Sequence, residues 1–128
     1  MNHITSCLPK RVKQVYVLEL ESGKYYIGES INPKKRIEYH FNGFGSQWTK
    51  LYPPIHILKP FTKKQDELWE LSETIQRMVY HGINNVRGSL FTKENLTSYD
   101  KVMAAQLYCE MNNLCRKCGS SNHFINQC

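Results

Sequence analysis

The sequence has no long hydrophobic run, and none of its apolar segments approaches the roughly 18 residues that a membrane-spanning helix needs. The first residues, MNHITSCLPKRVKQ, also lack the apolar segment that follows the basic residues of a signal peptide. These absences argue against a membrane-embedded or secreted protein. We therefore expect an intracellular protein, nuclear or cytoplasmic, without a membrane partner.

Acidic residues are scarce relative to basic ones: 11 Asp and Glu stand against 17 Lys and Arg, which leaves a formal net charge of +6. This excess of base favours a polyanionic partner such as nucleic acid. Charge alone is weak evidence, because basic residues also keep ordinary protein surfaces soluble.

Cysteines are few, and their number, five, is odd, so they do not make a complete disulfide framework. Three of them, Cys115, Cys118 and Cys128, lie in the last fourteen residues, which is typical of metal ligands. Cys7 and Cys109 are expected to be spare thiols.

Apolar residues are nevertheless sufficient for one core. They make up 41% of the 128 positions, with 8 Tyr, 5 Phe and 2 Trp among them, a composition that disfavours disorder. This length accommodates one compact domain with a small appendage, but not two large domains.

Three segments have the apolar and aromatic character of β-strands. Residues 15–18 and 24–28 are joined by turn residues at 22–24, so a hairpin is expected. Residues 55–61 form a third candidate strand, which Pro60 either closes or places at a sheet edge. The chain therefore predicts a small sheet.

A short helix is expected after the hairpin. Asn32 can cap it, Pro33 suits its first turn, and Ile37 and Phe41 share one face. The helix is expected to end near Gly43. Beyond it, the glycine- and proline-rich segment 41–54 is expected to be a loop.

The clearest helical pattern runs from about residue 64 to residue 81, and Gly82 suits its C-terminal cap. Residues 83–91 return to turn and extended character, and residues 98–112 predict a last helix through Val102, Ala105 and Met111. The core-facing stripe of the long helix is expected to comprise Leu68, Leu71, Ile75, Met78 and Val79.

The C-terminal segment has the spacing of a zinc site. Cys115, Cys118, His123 and Cys128 follow one another at intervals that let three thiolates and one imidazole surround one Zn²⁺. Gly119 allows a sharp turn beside the second ligand. Because the segment has little apolar surface, zinc binding would have to supply its folding free energy.

This segment resembles the CCHC zinc knuckle of retroviral nucleocapsid proteins, although Asn122 stands where those knuckles usually have glycine. Asparagine tolerates the left-handed backbone that this position would need. Arg116 and Lys117 offer charge to phosphates, and Phe124 offers a face on which a base can stack. A zinc-bound turn that contacts protein only is the alternative.

An ordered set of upstream residues resembles the GIY-YIG nuclease superfamily. Residues 14–16, Gln-Val-Tyr, lack the usual glycine and isoleucine of the first motif but keep Tyr16, and residues 26–28, Tyr-Ile-Gly, match the second motif in full. Arg36 and His40 follow in order. The likeness spans residues 15–91 and continues through residues 32–37, 45–46, 48–49 and 84–88.

The resemblance implies a small α/β domain with a three-stranded antiparallel sheet flanked by helices. With the zinc knuckle added, we expect four segments. They are a basic arm (1–13), a GIY-YIG nuclease domain (14–97), a linking helix (98–114) and a CCHC knuckle (115–128).

The resemblance also implies a glutamate on the long helix that holds a divalent cation, Mg²⁺ or Mn²⁺. The helix offers Glu67, Glu70 and Glu73. Similarity to relatives with a glutamate four residues before a threonine selects Glu70, which precedes Thr74. Such a cation neutralises charge at the phosphate and the leaving oxygen.

By the same resemblance, Tyr16 is the general base, Arg36 holds the scissile phosphate, and Tyr26 orients a phosphate oxygen or the water. His40 lies four residues after Arg36, on the same helical face, where it could assist proton transfer. An ordinary surface histidine is the alternative. Glu29 stands where some relatives have lysine, which weakens a lysine-assisted mechanism.

Three functions remain open. The first is a DNA endonuclease with a catalytic cation at Glu70 and structural Zn²⁺ in the knuckle. The second is an inactive nucleic-acid adaptor, and the third is an accessory subunit that needs a protein partner. The combination of domain and knuckle looks like proteins encoded by large DNA viruses.

Overall fold

The computed structural model describes residues 12–63, 67–123 and 126. Four strands and four helices follow one another along these residues in the order β-β-α-α-β-α-β-α, with short 3₁₀ turns at Glu21–Gly23 and Ile83–Asn85. The strands are β1 (Gln14–Leu20), β2 (Lys24–Ser30), β3 (Pro54–Lys63) and β4 (Val86–Gly88), and the helices are α1 (Pro33–Phe41), α2 (Gln47–Leu51), α3 (Trp69–His81) and α4 (Ser98–Met111).

The sheet has four strands in the order β3-β1-β2-β4, so the expectation of three antiparallel strands is wrong. β1 is antiparallel to both neighbours, whereas β4 is parallel to β2. A parallel pair needs a long crossover, and here the connection from β2 to β4 runs through α1, α2, β3 and α3. Because β4 has three residues and lies among turn residues, the local pattern did not identify it as a strand.

Proline is accommodated at the sheet edge. β3 is an outer strand and continues through Pro60 to Lys63, so the edge alternative is right and the strand does not end at the proline. An edge strand tolerates proline because the missing N–H faces away from the neighbouring strand.

Helices α1, α2 and α4 begin at side-chain caps, of which the sequence indicated only some. The Asn32 side chain caps α1 by accepting from the Lys35 N–H at 3.3 Å. α2 lies where a loop was expected; its cap, the Ser46 hydroxyl, accepts from the Thr49 N–H at 3.3 Å. In α4, Thr97 and Asp100 form a reciprocal capping box.

The core-facing stripes are narrower than expected. Leu71, Ile75 and Met78 of α3 are buried, but Leu68 and Val79 are 59% and 56% exposed. In α4 the buried apolar residue is Ala104, while Val102 and Ala105 are exposed. The described helix begins at Trp69, and residues 64–66 lie outside the described residues.

The sheet separates two hydrophobic clusters, because successive side chains of a strand point to opposite faces. On one face, Val15, Val17 and Ile27 pack with α3. On the other, Tyr16 and Leu18 pack with residues of α1 and α2. No described helix is both long and apolar enough to cross a membrane.

Candidate active site

Tyr16 lies at the centre of the second face. It pairs across the hairpin with Gly28, the last residue of the Tyr-Ile-Gly motif. A Cβ atom at Gly28 would overlap the Tyr16 ring. Glycine is therefore required there because the tyrosine ring occupies the space of any side chain, and Tyr16 is only 1% exposed.

His40 is bonded to this tyrosine. Its Nε2 lies 3.0 Å from the Tyr16 hydroxyl oxygen, and the side chain is 0% exposed. The alternative of an ordinary surface histidine is therefore wrong. Gly45 leaves the necessary space, because a Cβ atom there would overlap the imidazole.

Thr49 determines which nitrogen of His40 carries the proton. The Thr49 hydroxyl donates to the Ser46 carbonyl at 3.0 Å, so its oxygen is left to accept from the His40 Nδ1–H, also at 3.0 Å. His40 Nε2 is then unprotonated and accepts the Tyr16 hydroxyl proton. The result is a directional chain from Tyr16 to His40 to Thr49.

Burial sets the charge states of this chain. It lowers the pKa of His40 to about 4, with the charge of Arg36 contributing, so the imidazole is neutral near pH 7. Burial also raises the pKa of Tyr16, and Tyr26 adds to the increase. The positive charge of Arg36 and its hydrogen bonding with the Tyr16 phenol oppose this rise.

Tyr26 completes the aromatic cluster. Its ring centroid lies 4.9 Å from that of His40 and 6.4 Å from that of Tyr16. Burial raises the pKa of Tyr26, the negative charge of Glu70 raises it further, and Arg36 opposes both effects. The phenol is therefore protonated at neutral pH.

Arg36 and Glu70 bring opposite charges to the same centre. Arg36 is exposed on α1, and Glu70 is half-buried in the first turn of α3. Each influences the pKa of both tyrosines. The structure thus brings together all five residues expected to be catalytic, from β1, β2, α1 and α3.

The other acidic candidates are placed differently. Glu73 forms an ion pair with Arg77, at 3.2 Å between Oε1 and Nε, and Glu67 is exposed. Thr74 supports the turn that carries Glu70, because its hydroxyl donates to the Glu70 carbonyl at 2.8 Å. Glu29 is half-buried and pairs with Lys13.

Three supporting residues had no assigned role in the sequence. Gly45, Ser46 and Thr49 belonged to the family resemblance only as a motif, but they make room for His40 and orient it. The cap sequence beginning at Ser46 was the available signal. Asn85 serves the backbone, since its side-chain amide donates to the His81 carbonyl at 2.8 Å.

A second cluster lies at the C-terminal end. One ligand atom each from Cys115, Cys118 and His123 lies within 4.8 Å of the others. The Lys117 N–H donates to the Cys115 sulfur at 3.4 Å, an interaction that suits a thiolate. The fourth expected ligand, Cys128, lies outside the described residues, as does Phe124.

The backbone around this cluster forms a tight turn. Gly119 has φ +78°, and its N–H donates to the Cys115 carbonyl at 2.7 Å. Asn122 does not adopt the left-handed conformation expected of it; its N–H donates to the Ser120 hydroxyl at 3.0 Å. The sharp turn is therefore made at Gly119.

The mixed sheet and its polar centre together define a small α/β domain of nuclease type. The family described as the GIY-YIG catalytic domain matches residues 12–77, about half of the chain, and the protein belongs to that family. Members are generally nucleases that use divalent metals and act on nucleic acid.

Two bacterial relatives are similar over a shorter stretch. UPF0213 proteins of Streptococcus pneumoniae strains R6 and TIGR4 are each 30% identical over 56 residues, which is 42% of this chain and 57% of each relative. The chain thus spans little more than half the length of these relatives. No solved structure matches it.

Proposed function

We propose that the protein is an endonuclease that hydrolyses phosphodiester bonds in DNA. The observation that carries this proposal is the buried chain from Tyr16 through His40 to Thr49, with 3.0 Å at each link. A buried, ordered chain of polar groups is costly to form and is well suited to moving a proton.

Tyr16 is the general base in this mechanism. Its raised pKa keeps the phenol protonated at rest, so it needs an acceptor for its own proton as it takes one from the attacking water. The unprotonated Nε2 of His40 is that acceptor. After the transfer Tyr16 is again a neutral phenol, His40 carries the additional proton as an imidazolium, and the water has become the attacking hydroxide.

Arg36 and Tyr26 act on the substrate. Arg36 is exposed and permanently charged, and its planar group matches two phosphate oxygens. Its charge also favours the deprotonated form of Tyr16. Tyr26, whose ring packs near those of His40 and Tyr16, donates its hydroxyl proton to a phosphate oxygen or to the water.

Glu70 holds the catalytic cation, Mg²⁺ or Mn²⁺. Its half-buried carboxylate lies close enough to raise the pKa of both tyrosines, and a carboxylate oxygen is a preferred ligand of these ions. A bound divalent cation supplies charge neutralisation at the phosphate and at the leaving oxygen.

The C-terminal cluster binds structural zinc as a CCHC knuckle. Cys115, Cys118 and His123 bring two sulfurs and one nitrogen together, and Cys128 is the fourth ligand. The exposed basic residues Arg116 and Lys117 then add a second contact with the nucleic-acid backbone.

Cleavage assays with labelled linear, branched and single-stranded DNA test the proposal. With added Mg²⁺ or Mn²⁺, we expect the wild type to cut at least one substrate and Glu70→Gln to lose activity on the order of 10³-fold. Glu73→Gln, one turn further along α3, is the matched control and should retain activity. Tight binding without cleavage of any substrate would instead support the adaptor function.

A further inference from the structure

A second polar cleft lies beside the catalytic cluster, with a volume of about 350 Å³. We call it the Lys24–Lys101 cleft. Three of its lining side chains are cationic and one, Glu94, is acidic, so its net charge is positive. The side chains that carry the argument are Lys24, Trp48, Asn84, Arg87, Asn95 and Lys101.

Arg87 forms one wall of the cleft and is only 2% exposed. Its guanidinium lies 4.3 Å from the Trp48 ring centroid. It donates to four backbone carbonyls, including those of Lys93 at 2.6 Å and Glu94 at 2.9 Å. These carbonyls are dipoles and not charges. Among the described residues no carboxylate lies within ion-pair distance of this guanidinium; the nearby Asp100, whose negative charge acts on Arg87, is itself paired with Lys93 at 3.0 Å.

The buried charge therefore projects a positive potential into the cleft. Lys24 of β2 and Lys101 of α4 also line the cleft and add to this potential. Asn84 and Asn95 supply side-chain amides that can donate to an oxyanion. This combination fits a phosphate group better than a neutral or cationic ligand.

The cleft adjoins the catalytic residues. Arg87 is the parallel-strand partner of Tyr26, so the two side chains leave the sheet on the same face, on strands about 4.8 Å apart. Trp48 belongs to the same hydrophobic cluster as Tyr16 and also contacts Arg87. The cleft and the catalytic residues therefore share one face of the sheet, and a nucleic-acid strand that crosses this face would present successive phosphates to both.

We propose that the Lys24–Lys101 cleft binds a backbone phosphate of the substrate strand, one or two nucleotides from the scissile bond. This inference rests on the proposed function, because it assigns a further part of the same substrate. This phosphate contact does not depend on base sequence, and it would fix the position of the strand relative to Tyr16 and Arg36.

Affinity for an oligonucleotide without added divalent cation tests this subsite separately from cleavage. In a Glu70→Gln background, Lys101→Gln should weaken binding about fivefold at physiological salt and lower the slope of log affinity against log salt by about 0.9. Lys101→Arg, which keeps the charge, should restore both. Lys50→Gln, an equal loss of charge from an exposed residue outside the cleft, should change binding less.

Nuclear magnetic resonance locates the contact. The side-chain amide signals of Asn84 and Asn95 should shift when the oligonucleotide is added, and Lys101→Gln should reduce that shift. Shifts with inorganic phosphate but not with the oligonucleotide would reveal a free-anion site and overturn the proposal. Unchanged affinity in Lys101→Gln would overturn the subsite alone, whereas no binding by the wild type would overturn the proposed function as well.

Discussion

Two histidines in this protein are held in opposite ways. His40 is fully buried between β1, α1 and α2, and both of its ring nitrogens contact protein side chains. His123 is half-exposed in a short turn, where its Nε2 lies 3.3 Å from the Cys118 sulfur. The first arrangement is stabilised by the core, whereas the second lies in a short segment with little apolar surface. The comparison indicates that packing alone can fix the geometry around His40, whereas the proposed knuckle would take its stability from zinc.

The largest loss of cleavage should come from removing the hydroxyl oxygen of Tyr16, which lies in the site that the core holds in place. Tyr16→Phe keeps the ring over Gly28 but removes the hydroxyl of the proposed general base, so we expect cleavage to fall between about 10²- and 10⁴-fold. Tyr25→Phe, on the opposite face of the same hairpin, is the control and should remain active. Comparable loss in both variants, measured as kcat/KM, would show that Tyr16 serves only the fold.

The pH dependence of stability measures how firmly the core holds His40. Its pKa is lowered from 6.5 to about 4, so the unfolded chain binds the extra proton first as the pH falls. The free energy of unfolding should therefore decrease between pH 6.5 and pH 4, by on the order of 3 kcal/mol from this group. The stabilisation is fully present above pH 6.5.

Denaturant unfolding at pH 7, 5.5 and 4.5 tests this expectation. His40→Asn should lose much of the slope with pH, while His56→Asn, which changes an exposed histidine paired with Glu19, should keep it. An unchanged slope in His40→Asn would mean that another group causes the acid sensitivity.

A smaller loss of stability should follow from placing a side chain in the space at Gly28 that the Tyr16 ring occupies. Gly28→Ala places a Cβ atom against the ring, and relief of that overlap should cost about 1 to 3 kcal/mol of stability. Gly43→Ala is a control without a close neighbour, although its φ of +81° adds strain of its own. If thermal unfolding of Gly28→Ala matched the wild type, the tyrosine ring would have to be free to move.

The smallest effect on catalysis should come from changing the proposed zinc site. Cys118→Ser should weaken zinc binding and lower nucleic-acid affinity about tenfold, because two basic residues lose their fixed positions. Turnover at saturating substrate should be largely retained. Cys109→Ser, in α4 and outside the cluster, should keep one zinc per chain. Equal losses of affinity and turnover in Cys118→Ser would make the knuckle part of the catalytic fold.

Much of the candidate site could be anticipated because its signals are short. Tyr26 and Gly28 belong to one motif, and Arg36 and His40 lie on one helix face. The contact between Tyr16 and His40 spans 24 residues, and no periodicity within a single element indicates it. For the same reason, the sequence could not exclude that His40 is an ordinary histidine on the surface.

Arg87, which lines the proposed phosphate-binding cleft, was the least predictable residue. In the sequence it belongs to a turn-rich motif, where an arginine is normally exposed. Its burial depends on the parallel pairing of β4 with β2 and on carbonyls from Ile83 and from residues 93–94. Both the strand pairing and the positions of these carbonyls depend on the path by which the chain returns to the sheet after α3.

The sequence by itself determined the hairpin, the start of α1, the existence of α3 and the spacing of the C-terminal ligands, because each depends on residues close together along the chain. Only the tertiary structure decided the fourth strand, the burial of His40, the direction of its proton chain and the cleft beside Arg87. These features join distant segments, and their energies come from packing and desolvation, which local patterns do not record.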